Sequence, residues 1–244
     1  MIIYGRNPVR EALRGRRARS VTEVWATAGA AREPWLEGIA VNVIDAQELE
    51  RRCGSSAHQG ICAQVGGFAY ASVEELLARE NALLVALDQV QDPQNLGSIC
   101  RTAECAGADG VVIPERRAVE VTPAVCKASA GAVEHLAVAR VRNLADFLAD
   151  ARAAGCWCYG ASAESAAAER PPVAYDSIDY RGTGVVLVLG SEGRGLRPRV
   201  ASACDQLISL PLLGRVQSLG VSAAAAALLY EILQNRRAGV DKVP

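Results

Sequence analysis

Apolar segments alternate with helical segments from residue 81 onward, and this alternation limits the possible fold more than any other feature of the chain. The apolar segments are four or five residues long, the usual length of buried strands. Uniformly apolar strands that are separated by helices indicate a parallel sheet with helices on both faces. The predicted strands are 83–87, 110–113, 156–160, 185–189 and 206–210, and the predicted helices are 96–106, 144–154 and a last helix ending at Arg236.

A smaller α/β unit is predicted ahead of this sheet. Asn7 is placed to cap a short helix that ends at Gly15. Three strands and a second helix, capped by Asp45 and ended by Gly54, complete the unit. These strands are 21–26, 39–44 and 60–65. The pattern predicts a domain over residues 1–67, a linker over 68–80 and a larger α/β domain over 81–244.

Three clusters of glycine and polar residues end or follow apolar strands of the larger domain. They lie in residues 88–103, 185–196 and 208–222. Because ligands collect at the carboxyl ends of strands in an open parallel sheet, we expect the clusters to converge. In the first cluster we expect Asn95 to cap a helix, which places Arg101 almost two turns inside it. The helix pattern alone makes Arg101 a solvated surface charge, whereas the density of polar residues favours a functional role.

The second and third clusters are rich in glycine. Gly190, Gly193 and Gly195 follow a strand directly, and glycine lets the backbone approach a ligand closely. The loop lacks the Gly-Lys-Ser/Thr of a Walker A motif and is a poor dinucleotide fingerprint, which disfavours a hydride-transfer enzyme. In the third cluster, Ser218 or Ser222 is placed to cap the last helix.

Charge is distributed unevenly along the chain. The formal net charge is −1, yet the first twenty residues contain six Arg and one Glu. RNA binding requires a local basic surface and not a basic protein, because only the contacting face must neutralise phosphates. We therefore expect the N-terminal arginines to supply RNA affinity. They are Arg6, Arg10, Arg14, Arg16, Arg17 and Arg19.

The eight cysteines do not follow the spacing of a metal site. The sequence contains no CxxC motif, and its only histidines are His58 and His135. We expect buried or free thiols of a reducing cytoplasm and no metal. No signal-like apolar core and no apolar run of the ~20 residues needed to span a bilayer are evident, so the sequence predicts a soluble, cytoplasmic protein.

Together the three clusters resemble, in order and residue type, the signatures of the SpoU family of SPOUT RNA 2′-O-ribose methyltransferases. The resemblance implies a parallel-sheet α/β domain with a C-terminal trefoil knot, an exception to the rule against knots. It also implies S-adenosylmethionine bound in the knot, and a homodimer. Residues 4–13 and 58–61 resemble the ends of an L30e-like substrate-binding domain. This combination is most similar to the branch that methylates a guanosine ribose in the peptidyl-transferase region of 23S rRNA.

The resemblance also implies roles for individual residues. Arg101 would engage the ribose 2′-hydroxyl and favour its deprotonated form, while the other active-site residues orient the ribose or its phosphate. Backbone groups of the later clusters would hold the adenosine. The expected catalytic residues are Arg101, Asn95, Glu192 and Ser218, and the expected cofactor-binding residues are Gly190, Ile208, Leu210 and Leu219.

One residue departs from the family pattern, and three other functions remain open. Relatives commonly carry Asn where this sequence has Gly220, so either backbone or water replaces the amide or the rate is lower. The alternatives are a tRNA ribose methyltransferase of the same family, a non-catalytic RNA-binding ribosome-assembly factor and a nucleotide-binding oxidoreductase. The L30e-like resemblance favours rRNA over tRNA, and the intact signature residues argue against a non-catalytic factor.

Overall fold

The computed structural model describes residues 1–162, 170–191, 193–216 and 218–238. Within these ranges the strands form a four-stranded sheet and a seven-stranded sheet. None of the helices described there has both the length and the apolar character needed to cross a membrane.

The four-stranded sheet belongs to the N-terminal unit and has the order β1-β4-β2-β3. Strand β4 is antiparallel to β1 and β2, and β3 is parallel to β2. Two helices cover the sheet, and the predicted ends of the second are confirmed. Asp45 accepts a hydrogen bond from the Glu48 amide, and Gly54 ends the helix in the left-handed conformation. The elements are β1 (Ile2–Tyr4), α1 (Arg6–Ala12), β2 (Val21–Ala26), β3 (Asn42–Val43), α2 (Ala46–Cys53) and β4 (Ile61–Val65).

Two local predictions in this unit are wrong. Helix α1 begins at Arg6 and not after Asn7, because Gly5, at φ 98°, already turns the chain into the helix without a side-chain cap. The predicted strand 39–44 is reduced to two paired residues. The chain turns at Gly38, where φ is 80°, and the Ile39 amide donates to the carbonyl of Leu36. The turn delays pairing with β2 until Asn42.

The seven-stranded sheet confirms the predicted parallel α/β domain. Its order is β7-β6-β5-β10-β8-β11-β9, and each described pairing is parallel. The carboxyl ends of these strands therefore lie at one edge. The elements are α3 (Val73–Leu77), β5 (Leu83–Asp88), α4 (Pro93–Cys105), β6 (Gly110–Pro114), α5 (Pro123–Ala128), β7 (Ala137–Val141), α6 (Leu144–Ala153), β8 (Cys156–Ala161), β9 (Val173–Ala174), β10 (Gly184–Gly190), α7 (Pro198–Ala203), β11 (Gln206–Ser209) and α8 (Val221–Arg237).

Helices cover both faces of this sheet. Successive residues of β5 alternate between two apolar cores, with Val85 in one core and Ala86 in the other. Helices α4 and α8 contribute to the first core, and α6 and α7 contribute to the second. The double covering explains why the strands are apolar along their whole length. The trefoil knot stays a prediction.

The segment predicted as a linker, residues 68–80, packs on the large sheet. The Ala71 amide donates to the carbonyl of Val138 at 2.8 Å, and the Tyr70 hydroxyl accepts from the Val121 amide at 3.0 Å. Leu76 of α3 is buried. These contacts hold the end of the N-terminal unit against β7 and the loop before α5.

A buried ion pair joins the N-terminal unit to the large domain. The Arg17 guanidinium donates two hydrogen bonds to the Glu134 carboxylate, one of them from Nε at 2.9 Å. The side chains are only 6% and 0% exposed. Burial lowers the pKa of Arg17, but the hydrogen bonds to Glu134 outweigh it, so the pKa lies above its usual value. Arg17 is therefore charged, paired and removed from solvent.

This pair corrects the expectation for the N-terminal arginines. Arg17 is unavailable to RNA because it is buried on Glu134. Two others already have acidic partners, since Arg6 pairs with Glu33 and Arg10 with Glu11. The other three arginines are exposed and form no salt bridge with a described residue. They are Arg14, Arg16 and Arg19.

Removing one partner of the buried pair should cost far more stability than removing both. Glu134→Ala leaves the Arg17 charge buried without its counter-ion, and we expect the free energy of unfolding to fall by about 3–5 kcal/mol. The double variant Arg17→Met, Glu134→Leu removes both charges and should lose less. Urea denaturation measures both values. An equal loss in the single and double variants would contradict the electrostatic origin of the effect.

Candidate functional site

A large cavity lies at the carboxyl ends of β8, β10 and β11. Its volume is about 820 Å³, which is within the ~300–1,000 Å³ range of small-molecule sites. Its walls come from the ends of the three strands, the loop after β10, the loop after β11 and the first turns of α8. The described residues that line it carry no charged side chain. A ligand would therefore meet backbone groups, hydroxyls and apolar surface.

The cavity brings together residues from the second and third clusters. All four residues predicted to bind the cofactor line it, as does Ser218 from the predicted catalytic set. Predicted catalytic Glu192 lies outside the described residues. The contributions of β8 and α8, which supply Ala161 and Leu228, were not predicted from the sequence. The residues of the cavity wall that were predicted to bind the cofactor are Gly190, Ile208, Leu210 and Leu219.

Gly190 allows the loop after β10 to fold tightly over the strand end. A Cβ atom at this position would lie 2.1 Å from the carbonyl carbon of Gly195, too close for any side chain. The Gly195 amide also donates to the Ser191 carbonyl at 2.9 Å. Gly193 and Gly195 both have positive φ, a conformation that favours glycine. The glycines therefore shape the loop and present its backbone to the cavity.

A buried carboxylate fixes the far end of this loop. Asp88 ends β5 opposite Gly190 and has no exposed surface. It accepts hydrogen bonds from the backbone amide of Arg197 at 2.8 Å and from its Nε at 2.7 Å. The pairing of Asp88 with Gly190 brings the start of the first cluster beside the second, as expected for strands that end at one edge of the sheet. The sequence offered one signal for the contact with Arg197, because an Asp that ends a wholly apolar strand requires a partner.

Helix α4 holds the other two predicted catalytic residues outside the cavity. Asp92 and not Asn95 caps the helix, because Pro93 occupies the first helical position and the Asp92 side chain accepts from the Gln94 amide. Asn95 is half-buried in the first turn, and Arg101 is exposed two turns into the helix. Neither lines the cavity, although α4 packs on α8, which does. The structure thus brings Ser218 to the cavity but places Asn95 and Arg101 beside it.

The approach to α8 depends on Gly220. This residue precedes the helix with φ 78° and ψ 146°, a conformation that is accessible essentially only to glycine. Its amide donates to the Ser218 hydroxyl at 3.1 Å. The expectation that Ser218 or Ser222 caps the helix is wrong, since α8 has no side-chain cap. Gly220, which stands where the family commonly has Asn, therefore gives the backbone beside the cavity a conformation that favours glycine.

The cysteines do not offer a nucleophile at this site. All eight are free, and none lines the cavity. Burial raises the pKa of Cys100 on α4 to about 12, and burial likewise raises that of Cys204 to about 12. These thiols remain protonated at neutral pH and are poor nucleophiles. Within the described residues, no group of His, Cys, Asp and Glu has the arrangement of a metal site.

Comparison with known proteins places this architecture among RNA methyltransferases. Residues 82–230 match the SpoU rRNA Methylase family, and residues 2–71 match the RNA 2′-O ribose methyltransferase substrate-binding family. The YacO protein of Bacillus subtilis strain 168, which is assigned to the TrmH family of tRNA/rRNA methyltransferases, is 40% identical over 209 residues. That alignment covers 82% of this chain and 79% of YacO.

Solved structures share the fold over nearly the whole chain. An AdoMet-bound rRNA methyltransferase from Sinorhizobium meliloti has a TM-score of 0.78 and 27% identity, covering 96% of this chain and 86% of that one. The SpoU methyltransferase AviRb from Streptomyces viridochromogenes has a TM-score of 0.78 at 24% identity, covering 96% and 89%, and supports the fold. From its catalytic and substrate-binding segments together, this chain belongs to the SpoU family of tRNA/rRNA methyltransferases.

Proposed function

We propose that this protein methylates the ribose 2′-hydroxyl of a guanosine in the peptidyl-transferase region of 23S rRNA, with S-adenosylmethionine as the cofactor. The observation that carries the proposal is the cavity at the carboxyl edge of the large sheet, whose walls hold Ser218 and all four residues expected to bind the cofactor. The substrate-binding segment at residues 2–71 supports an RNA substrate. The rRNA methyltransferase of Sinorhizobium meliloti aligns with 96% of this chain, including the N-terminal unit, and this favours rRNA over tRNA.

The cavity suits S-adenosylmethionine in size and in chemistry. Leu189, Ile208 and Leu210 give apolar walls for a purine ring, and the crowded turn at Gly190 lets the backbone come close to a ligand. Hydroxyls of Ser162 and Ser218 provide polar partners. The bound cofactor supplies a methyl group on a positively charged sulfur. The chain itself orients the ribose and assists the loss of its 2′ proton.

Arg101 is the residue that we assign to the 2′-hydroxyl. A ribose hydroxyl is a weak acid, and a guanidinium beside it stabilises the oxyanion that forms as the proton leaves. Arg keeps its own proton, so the role is mainly electrostatic. Asn95 and Ser218 would orient the ribose or its phosphate, as would Glu192. Arg101 is exposed on α4, where an incoming RNA strand can reach it.

A methyl-transfer assay with two RNA classes tests the proposed function. The full chain is incubated with labelled S-adenosylmethionine and either 23S rRNA or total tRNA, and the modified nucleotide is mapped. We expect label on the 2′-oxygen of one guanosine in 23S rRNA. Label found only in tRNA would show that tRNA, and not 23S rRNA, is the substrate. RNA binding without label would favour an assembly factor, and absence of cofactor binding would overturn the methyltransferase function.

Arg101→Ala should reduce turnover without weakening the binding of the cofactor. We expect methyl transfer to fall by at least ~100-fold, the usual effect of losing a positioned charge-stabilising group. S-adenosylmethionine affinity should stay nearly unchanged because Arg101 does not line the cavity. Arg101→Lys should be almost as slow, since an ammonium lacks the planar fork of a guanidinium.

Glu104→Ala is the matched control for this experiment. Glu104 is also exposed on α4, one turn beyond Arg101, and is expected to retain normal turnover. Rates are measured at saturating cofactor and RNA, and cofactor affinity by calorimetry. Turnover of Arg101→Ala close to that of Glu104→Ala would assign Arg101 to the solvated helix surface and remove it from the mechanism.

We also propose that the protein is a homodimer that pairs through α8 and the loop before it. Leu213 and Val216 of this loop are 99% and 76% exposed, and Tyr230 on α8 is 44% exposed. A patch of exposed apolar side chains is typical of an interface, and we infer that these three residues belong to one. Such an interface would place a second chain beside the cavity, where Arg101 of either copy is accessible.

Sedimentation analysis of two variants tests the dimer. Tyr230→Glu places a charge on the proposed interface and should produce a monomer at micromolar concentration. Val43→Glu is the control, because Val43 is an apolar residue of the N-terminal sheet with 59% exposure. We expect this control to sediment as the dimer. A monomeric unsubstituted chain, or a dimer in both variants, would contradict the proposed interface.

A further inference from the structure

A second cleft lies at the same edge of the large sheet and is lined by arginines. Its volume is about 290 Å³, and it is formed where β6 and β7 end and α7 begins. We call it the arginine cleft. Its five arginines are Arg116, Arg117, Arg142, Arg197 and Arg199.

Three of these guanidinium groups have no acidic partner among residues 1–162, 170–191, 193–216 and 218–238. Arg197 pairs with Asp88, and Arg199 pairs with Asp146 at 2.8 Å. The other three form no salt bridge with any described residue, and all are exposed. The cleft therefore has an excess of positive charge that no salt bridge within the described part of the chain neutralises. The three unpaired residues are Arg116, Arg117 and Arg142.

Local backbone structure holds these charges in place. Arg117 has φ 60°, which is unusual for a residue with a side chain, and its carbonyl accepts from the Gln91 side chain at 3.4 Å. Arg142 directly precedes Asn143, which caps α6 and also lines the cleft. The positive end of the α6 dipole thus adds to the guanidinium charges. Several like charges around one cleft repel one another, and a bound anion relieves that repulsion.

The position of the cleft connects it to the cofactor cavity. Both lie at the carboxyl edge of the sheet, and one loop lines both. Gly190 and Gly195 border the cavity, and Arg197 borders the cleft. The hydrogen bonds from Arg197 to Asp88 fix this loop between the two sites. A polymer bound in the cleft would therefore continue toward the cavity.

We propose that the arginine cleft binds backbone phosphates of the substrate RNA and leads the adjoining nucleotide toward the cofactor cavity. The proposal rests on the proposed RNA methyltransferase function. Guanidinium groups match phosphate oxygens in charge and in bidentate geometry. Contacts of this kind give affinity without reading sequence, so the cleft positions the strand and leaves target choice to other surfaces.

A triple substitution of the unpaired arginines tests the proposal. In the full chain, Arg116, Arg117 and Arg142 are replaced by Ala, and binding of a short polyuridylate strand is measured over a range of salt concentrations. We expect at least ~10-fold weaker binding at low salt and a logarithmic salt slope shallower by about 2, from ~0.7 for each lost phosphate contact. S-adenosylmethionine affinity should be unchanged because the three residues do not line the cavity.

A control variant removes the same formal charge from the opposite edge of the sheet, where Arg152 pairs with Asp205 and Arg181 pairs with Asp179. Arg152, Arg181 and Arg237 are exposed and lie near the amino ends of the strands or the carboxyl end of α8. Their replacement by Ala should leave RNA affinity and the salt slope close to those of the unsubstituted chain. Equal effects of the two triple variants would overturn the proposal, because RNA binding would then depend on the total positive charge of the protein and not on the cleft.

Two further outcomes separate this proposal from the function on which it rests. Failure of the unsubstituted chain to bind polyuridylate at low salt would overturn the cleft proposal, while methyl transfer to 23S rRNA reports separately on the proposed function. The bound strand is also competed with inorganic phosphate and with unlabelled polyuridylate at equal ionic strength. If inorganic phosphate displaces the strand as effectively per phosphate group as polyuridylate does, the cleft is a site for free anions and the cleft proposal is overturned. Normal RNA binding without methyl transfer would remove only the proposed function.

Discussion

The contact between Asp88 and Arg197 holds together the functional edge of the large domain. A carboxylate without exposed surface is stable only when its oxygens have strong partners, and here one residue supplies both a backbone and a side-chain donor. That residue lies at the end of the glycine loop of the cavity. The requirement to satisfy one buried charge therefore fixes the loop on the strand beneath it, with the cavity on one side and the arginine cleft on the other.

A second buried charge, on Glu134, holds the N-terminal unit against the large domain. Glu134 lies in the segment before β7, far along the chain from Arg17, yet both side chains are almost fully buried. Arg17 also donates to the Gly66 carbonyl and lies over the Phe68 ring, so it contacts the end of the N-terminal unit as well. With residues 68–80 packed on β7, these contacts set the orientation of the N-terminal unit relative to the cavity of the large domain.

Local signals in the sequence predicted most of the secondary structure because their causes are local. Asp45 and Gly54 define α2 through a side-chain cap and a left-handed residue, which need only neighbours along the chain. Strand β7 was missed because Arg140 interrupts its short apolar run. Helices α5 and α7 were also missed. Each has six residues and begins at Pro, too short to show helical periodicity.

Long-range partners could not be predicted in the same way, and they decide what each arginine does. Six arginines near the N-terminus suggested one basic surface, but the fold buries Arg17 on a distant carboxylate. It also pairs Arg6 with Glu33, and Arg10 pairs with its neighbour Glu11. The arginines of the cleft are spread over more than eighty residues and form no basic run in the sequence. They come together only because parallel strands bring successive loops to one edge. Unpaired charge after folding, and not charge density along the chain, therefore indicates where this protein can meet phosphates.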